Sequence, residues 1–171
     1  KFSNDLNNYI NDERNIYYLH TYLPYGRPLK DKNCLYKKSN YVLDYKKEYI
    51  ENLICSEKII FNLIDNIFEI YNKKNKDFII IIQSDHGTFS RGQSKRNFDT
   101  LSKNEIIETM QNFTASYSSI NCNNSFNHNL SQVNVFRFLY NCLNNDNLEF
   151  LEDKFFWGFY NSVYIKEINL D

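Results

Sequence analysis

Residues 78–87 constrain the fold of this chain more than any other stretch, because an uninterrupted apolar run leads directly into polar side chains. The stretch reads Phe-Ile-Ile-Ile-Ile-Gln-Ser-Asp-His-Gly. A continuous apolar and mostly β-branched run favours a central strand of a parallel sheet that is covered on both faces. In open α/β sheets, ligands bind at the carboxyl ends of such strands. The sequence therefore predicts an α/β fold with a functional site directly after this strand.

Asp85 and His86 are the candidate site residues at this strand end. Gly87 would let the backbone leave the strand at angles that other residues resist, so that both side chains turn toward one point. A carboxylate and an imidazole suit Zn²⁺ or Mn²⁺, and they can serve Ca²⁺ where oxygen atoms complete the coordination shell. The competing interpretation is that Asp85 caps the next segment and that His86 is a polar surface residue. The strand context favours a divalent-metal site.

The composition is that of one globular domain. The chain has 171 residues, of which 42% are hydrophobic and 17% aromatic. This length and composition are sufficient for one hydrophobic core, and the chain is too short for us to expect two domains. A formal net charge of −1 provides no broad field that would attract nucleic acid or an anionic membrane. No apolar run approaches the roughly 20 residues of a membrane span, and the start does not resemble a signal peptide. Because the first residue is Lys1, we expect a processed, truncated or excerpted product, with room upstream for an anchor or a signal.

The four cysteines, Cys34, Cys55, Cys122 and Cys142, are widely and irregularly spaced. They form no Cys-x-x-Cys pair and no Cys/His cluster, so they do not predict a structural zinc site. Cys55 and Cys142 fall in predicted helices, where a small buried hydrophobic side chain is the expected role. Cys34 and Cys122 fall in predicted loops, and the sequence leaves open whether they are free or paired.

The first half of the chain alternates predicted strand and helix. Residues 15–23 are rich in β-branched and aromatic side chains and stop before Pro24, which predicts a strand that carries His20 near its end. A loop follows to about residue 40. Residues 41–71 carry apolar side chains at spacings of three and four, which predicts a long helix with one core-facing side. That side consists of Ile50, Leu53, Ile54, Ile60, Leu63, Ile64, Ile67 and Phe68.

A strand, a helix and a second strand in this order predict a right-handed crossover with the strands at 15–23 and 78–82 parallel. The carboxyl ends of both strands would then open on the same edge of the sheet. We therefore expect His20 to approach the same site as Asp85 and His86.

The second half contains more loop than regular structure. Residues 88–100 form a polar, positively charged loop that reads either as exposed surface or as an anion-binding lid. Its cations are Arg91, Lys95 and Arg96. Residues 106–117 suggest a strand or a short helix, and the Asn- and Ser-rich residues 118–131 suggest a loop. Residues 132–143 have helical spacing with Ser131 as a suitable cap.

Four parts of the chain carry a family resemblance. They are His20-Thr-Tyr-Leu-Pro24-Tyr25-Gly-Arg-Pro28, the long helix, Ile-Ile-Gln-Ser-Asp85-His86-Gly87, and Ser131-Gln-Val-Asn-Val-Phe-Arg137 with the later Leu151-Glu-Asp-Lys. In order and spacing they resemble the carboxyl-terminal part of a sulfatase-like domain of the alkaline phosphatase superfamily. The chain looks most similar to bacterial membrane-anchored sulfatase-like proteins.

The resemblance implies a doubly wound, mostly parallel sheet flanked by helices. Residues 1–171 would be the carboxyl-terminal portion of a single domain whose amino-terminal part is missing, so the sheet would be incomplete. Asp85 and His86 would bind a divalent metal, either Zn, Mn or Ca. His20 and Tyr25 would contribute to the substrate pocket.

The activity that the resemblance implies is metal-dependent hydrolysis or transfer of sulfate or phosphate esters. A Ser, Thr or modified Cys nucleophile is expected in an earlier segment of the domain, so this chain alone would be inactive. The substrate would be a small-molecule, lipid or glycan ester, with no role for nucleic acid. The full-length protein would be anchored in the membrane of the cell envelope by upstream segments, with its domain outside the cytoplasm.

Tyr25 stands where the resemblance expects a His. A phenol can donate a hydrogen bond to a sulfate or phosphate oxygen, but it carries no positive charge near neutral pH. This departure favours an alternative, a catalytically degenerate sulfatase-like module with a binding or scaffold role in the cell envelope. A further alternative is a phosphoglycerol or phosphoethanolamine transferase, since related envelope enzymes transfer such groups.

Overall fold

The computed structural model describes residues 15–22, 24, 30–37, 44–88, 101–122, 130–158 and 165–168. In chain order they form α1 (Tyr45–Lys74), β1 (Ile79–Gln83), α2 (Lys103–Met110), β2 (Thr114–Ser118), α3 (Gln132–Asn144), β3 (Phe155–Gly158) and β4 (Ile165–Ile168). The chain divides into two compact units, and the described residues up to Lys76 belong to the first and those from Asp77 onward to the second. That all residues belong to a single domain stays a prediction.

Helix α1 confirms the long helix predicted around residues 41–71. It begins after Asp44, whose side-chain carboxylate accepts a hydrogen bond from the backbone N–H of Lys47 at 3.1 Å. It ends at Asn75, which has a left-handed φ of 48° and donates its N–H to carbonyl groups of the last turn. Both ends are therefore closed by residues that local sequence preferences favour at helix termini.

The buried side of α1 differs in part from the predicted apolar stripe. Its buried residues are Asn52, Cys55, Ser56 and Ile70. Ile50 and Leu53, which were predicted to face the core, are exposed. Toward the end of the helix, Ile70 packs with Ile67 and Tyr71, and burial there raises the pKa of Tyr71. A helical stripe identifies apolar side chains, but tertiary contacts decide which of them are covered.

A disulfide fixes the loop at residues 30–37 on α1. Cys34 is bonded to Cys55, with a Cα–Cα distance of 5.1 Å. The loop is closed by the Asp31 carboxylate, which accepts hydrogen bonds from the backbone N–H groups of Asn33 and Leu35, both at 2.9 Å. Cys55 is buried as predicted. Its predicted role as a simple apolar side chain is wrong, because it forms this cross-link.

The first unit contains no strand within residues 15–22, which were predicted to form one. These residues are exposed and have no regular secondary structure. Aromatic and β-branched side chains stabilise a strand only when they pack against neighbouring strands and a buried face. The composition of this segment therefore predicted a strand that the structure does not contain. Residue 23 lies outside the described residues.

Strand β1 confirms the strand predicted at residues 78–82, with a shift of one residue. It pairs with β2 in an antiparallel two-stranded sheet, in which Ile81 lies opposite Ser116. The hydrogen-bonded ladder continues one step beyond β1, where the backbone N–H of Ser119 donates to the carbonyl of Phe78 at 3.0 Å. The second sheet, β3 with β4, is also antiparallel. Neither sheet of the described residues is parallel. The doubly wound, mostly parallel sheet inferred from the resemblance is not tested by them and stays a prediction.

The segment at 106–117, predicted as a strand or a short helix, contains the end of helix α2 and the start of strand β2. Helix α2 begins with a capping box, in which the Ser102 side chain accepts from the N–H of Glu105 and the Glu105 carboxylate accepts from the N–H of Ser102. After Gln111 the chain enters β2. The short helix therefore places its carboxyl end beside the start of β2.

Helix α3 confirms the helix predicted for residues 132–143. Two buried amides on one side of it hold the irregular segment that follows. The Asn134 side chain accepts from the N–H of Leu151 and donates to its carbonyl, both at 2.8 Å. The Asn141 side chain makes the same pair of bonds with Leu148, at 2.7 and 3.0 Å. Ser131 occupies the cap position as predicted, but its side chain makes no capping bond to the backbone.

A second disulfide joins Cys122, just after β2, to Cys142 in α3, with a Cα–Cα distance of 5.0 Å. No free cysteine remains among the described residues. The expectation that Cys142 is a lone apolar side chain is therefore wrong. Two cysteines some 20 residues apart carry no sequence signal of pairing, because only the tertiary fold brings them together.

Candidate metal site

The candidate site lies directly beyond the carboxyl end of β1, where the sequence predicted it. β1 ends at Gln83, and Asp85 and His86 follow after a single intervening residue, Ser84. Both side chains are open to solvent: 87% of the Asp85 side chain and 53% of the His86 side chain is exposed. An ion can therefore reach either of them.

The Asp85 carboxylate and the His86 imidazole face each other. Oδ2 of Asp85 lies 3.6 Å from Nε2 of His86, and Oδ1 of Asp85 accepts a hydrogen bond from the backbone N–H of His86 at 3.1 Å. Nδ1 of His86 lies 2.6 Å from the carbonyl oxygen of Gly87. Because a carbonyl oxygen only accepts, Nδ1 donates in this bond, and Nε2 is then the ring nitrogen that faces the carboxylate and is available to a metal.

This arrangement fits a divalent cation. Metal-binding histidines commonly donate their second ring N–H to a backbone carbonyl, as His86 does to Gly87. Two ligand atoms that bind one tetrahedral Zn²⁺ at about 2.1 Å lie about 3.4 Å apart. The observed separation of 3.6 Å between Oδ2 and Nε2 is close to that value. A contact between two side chains this open to solvent contributes little to the stability of the fold, so stability alone does not explain the arrangement.

Asp85 and His86 supply two donors, and a metal needs more. Among residues 15–22, 24, 30–37, 44–88, 101–122, 130–158 and 165–168, no group of three or more His, Cys, Asp or Glu side chains converges. Further ligands would come from solvent, from substrate or from other parts of the protein. The pair alone would therefore supply only two ligands to a bound metal.

Gly87 is required at its position for a reason other than the predicted one. Its φ lies outside the left-handed region, so no unusual backbone angle is involved. Instead, Gly87 packs directly on the carboxyl end of α2, where its N–H donates to the carbonyl of Thr109 at 2.9 Å. A Cβ atom at this position would overlap the backbone oxygens of Glu108 and Gln111. Close approach to a helix end, and not conformational freedom, explains the glycine.

Ser84 is held from two sides. Its backbone N–H donates to the carbonyl of Phe113 at 2.9 Å, and its hydroxyl accepts from the N–H of Phe113 at 2.7 Å. Its carbonyl oxygen accepts a hydrogen bond from the side-chain amide of Gln132, the first residue of α3. Sequence reasoning did not identify Gln132 as part of the site, because no local pattern reveals a contact across 48 residues.

The sequence also predicted His20 and Tyr25 as site residues. His20 belongs to the first unit and is exposed, with its ring 4.8 Å from the ring of Tyr22 and 6.5 Å from that of Tyr18. Tyr25 lies outside the described residues, as do the cations of the predicted anion-binding lid. Their roles in substrate binding stay predictions.

Comparison of the chain with protein-family models, with curated proteins and with solved structures gives no match. The described helices include none with the length and apolar character that a bilayer crossing requires.

Proposed function

We propose that this chain provides the Asp85–His86 half of a divalent-metal site in a sulfatase-like hydrolase or transferase of sulfate or phosphate esters. The observation that carries the proposal is the convergence of Asp85 Oδ2 and His86 Nε2 at 3.6 Å, at the carboxyl end of β1. The hydrogen bond from Nδ1 to the Gly87 carbonyl supports it, because it orients the ring with Nε2 toward the carboxylate.

Each residue has a distinct role in this proposal. Asp85 supplies a negative oxygen ligand, and His86 supplies a neutral nitrogen ligand whose orientation Gly87 fixes. A bound metal of this kind stabilises charge that develops on the transferred group and lowers the pKa of a coordinated hydroxyl. The nucleophile is expected in another segment of the full-length protein, and His20 and Tyr25 are proposed to contact the ester.

The proposed location is the cell envelope, with the domain outside the cytoplasm and anchored by other segments of the full-length protein. The two disulfides support this location, since such cross-links persist in oxidising compartments and are rare in the cytosol. A lipid or glycan ester is the substrate class that fits a protein held at a membrane.

A catalytically degenerate binding module is the second candidate, and Tyr25 is the observation that favours it. A phenol in place of the expected imidazole removes a group that could be protonated beside a sulfate or phosphate. The two candidates share the metal site and differ in turnover.

Metal binding tests the proposal on the chain itself. Zn²⁺, Mn²⁺ and Ca²⁺ are titrated separately by calorimetry into the wild type, Asp85→Asn, His86→Gln and the control Asp146→Asn, which changes another exposed carboxylate of the same unit. We expect one ion per wild-type chain, loss of binding in both site variants and no change in the control. Absence of binding by the wild type, or equal binding by all four proteins, would contradict the proposal.

Turnover by the full-length protein separates the candidates. Release of sulfate or phosphate from aryl esters indicates a hydrolase, and appearance of a phosphoglycerol or phosphoethanolamine adduct from a lipid donor indicates a transferase. Metal binding without any turnover across these substrates favours the degenerate module.

A further inference from the structure

We infer that Gln132 is a positioning residue for the metal site, and that its side-chain amide fixes the peptide group from which Asp85 projects. The inference rests on the proposed function. It assigns a role to a residue in a different helix from the site, at a position that contributes no metal ligand itself.

The contact acts on the peptide that joins Ser84 to Asp85. The Gln132 amide donates to the carbonyl oxygen of Ser84. That carbonyl and the N–H of Asp85 belong to one planar peptide group, so a bond to the oxygen also fixes the direction of the Asp85 N–H. The orientation of this plane sets where the Asp85 side chain begins.

The preceding peptide is fixed independently. Phe113 accepts a hydrogen bond from the N–H of Ser84 at 2.9 Å and donates one to the Ser84 hydroxyl at 2.7 Å. The two peptide groups that flank the Ser84 Cα are thereby held by different parts of the chain, Phe113 just before β2 on one side and α3 on the other. Without Gln132, only the first of these two restraints remains.

Gln132 is itself held firmly. It begins α3, and Asn134 and Val135 in the same turn are buried. Asn134 is bonded to both backbone groups of Leu151, and the far end of the helix is cross-linked through Cys142. A donor on a fixed helix loses little freedom when it makes its bond, which is the property that a supporting residue needs.

The test compares Gln132→Met, which keeps the length of the side chain and removes the donor, with the control Asn144→Met at the other end of α3. Asn144 donates only within its own helix, to the carbonyl of Tyr140, in the described structure. Gln132→Asn is a second variant, which keeps the amide but places it on a side chain that is one methylene shorter. For each protein, the amide resonances of residues 84–87 are recorded without metal, and the affinity for Zn²⁺ and the denaturation midpoint are then measured.

We expect the Asp85 amide resonance to move in both Gln132 variants and not in the control. Zn²⁺ affinity should fall about tenfold in both, as for other residues that orient metal ligands, while the denaturation midpoint stays close to that of the wild type. A residue with only a structural role would change the midpoint without a matching change in affinity.

Two results would overturn the inference. If the wild type binds Zn²⁺ and the Gln132 variants bind it equally well, Gln132 has no positioning role and the proposed function is unaffected. If the wild type and all variants fail to bind Zn²⁺, Mn²⁺ and Ca²⁺, the proposed function itself fails, and the inference fails with it.

Discussion

The backbone N–H of Gly87 donates a hydrogen bond to the carbonyl oxygen of Thr109 at 2.9 Å, and this bond joins the candidate metal site to the carboxyl end of α2. Thr88 extends the contact, since its N–H donates to the carbonyl of Glu108 at 3.1 Å and its hydroxyl to the Glu108 carboxylate at 2.9 Å. Helix α2 therefore obtains partners for its last carbonyl groups from the segment that carries His86. The site and the helix end stabilise each other.

Replacement of Gly87 by Ala should destabilise the protein and weaken metal binding. The new methyl group would overlap the oxygens of Glu108 and Gln111, so the backbone after His86 must shift away from α2. We expect a loss of about 1 to 3 kcal/mol in the free energy of unfolding, measured by urea denaturation.

Gly158→Ala is the matched control, because its Cβ would meet nothing closer than the Ile165 side chain at 4.0 Å. We expect it to change stability by no more than about 0.5 kcal/mol. Equal effects of the two substitutions would show that close packing on α2 is not the reason for Gly87.

Replacement of Asn134 by Leu should destabilise the protein although the two side chains are similar in size. The Asn134 amide satisfies both backbone groups of Leu151 and contacts the Asp153 carboxylate at 3.2 Å. Leucine removes these three partly buried hydrogen bonds, which we expect to lower the free energy of unfolding by about 2 to 3 kcal/mol. Asn144→Leu, an exposed amide on the same helix, should have a small effect in the same denaturation series, and a similar loss for both would contradict this account.

Each disulfide should stabilise the protein to a similar extent. The loops that they close span 21 and 20 residues, which corresponds to about 3 kcal/mol each if the cross-link acts mainly on the unfolded chain. Cys34→Ser/Cys55→Ser and Cys122→Ser/Cys142→Ser should therefore lower the denaturation midpoint comparably. Peptide mapping with thiol blocking checks the pairing first, and four reactive thiols in the native protein would refute both cross-links.

The parts of this fold that the sequence predicts are those that depend on neighbouring residues. Helix α1, strand β1 and helix α3 follow from apolar spacing and composition, and the place of Asp85 and His86 follows from the end of β1. Those parts that depend on distant residues were not predicted. They include the antiparallel partner of β1 and both disulfides.

Residues 15–22 and Gln132 illustrate in two different ways why sequence alone does not predict contacts between distant residues. The first has the composition of a strand but no partner strand in the described structure, since pairing is a property of the fold and not of the segment. Gln132 has no local signal at all, and only the position of α3 beside Ser84 gives it a role. A carboxylate and an imidazole at a strand end can be read from one sequence, whereas the residues that orient them cannot.

A pair of threonines should respond in opposite ways to the same substitution. Thr109 lies in α2, and its hydroxyl donates to the carbonyl of Glu105 at 2.8 Å, whereas the Thr114 hydroxyl in β2 is buried without a hydrogen-bond partner in the described structure. Valine has the same shape and lacks the hydroxyl. Thr109→Val should lower the free energy of unfolding by about 1 kcal/mol, and Thr114→Val should leave it unchanged or raise it by up to about 1 kcal/mol, because an unpaired polar group is removed. Thermal and urea denaturation of both variants check this. A loss in Thr114→Val equal to that in Thr109→Val would show that the Thr114 hydroxyl has a partner in solution. The side-chain amide of Gln83, which lies directly opposite in the sheet, is a candidate for that partner.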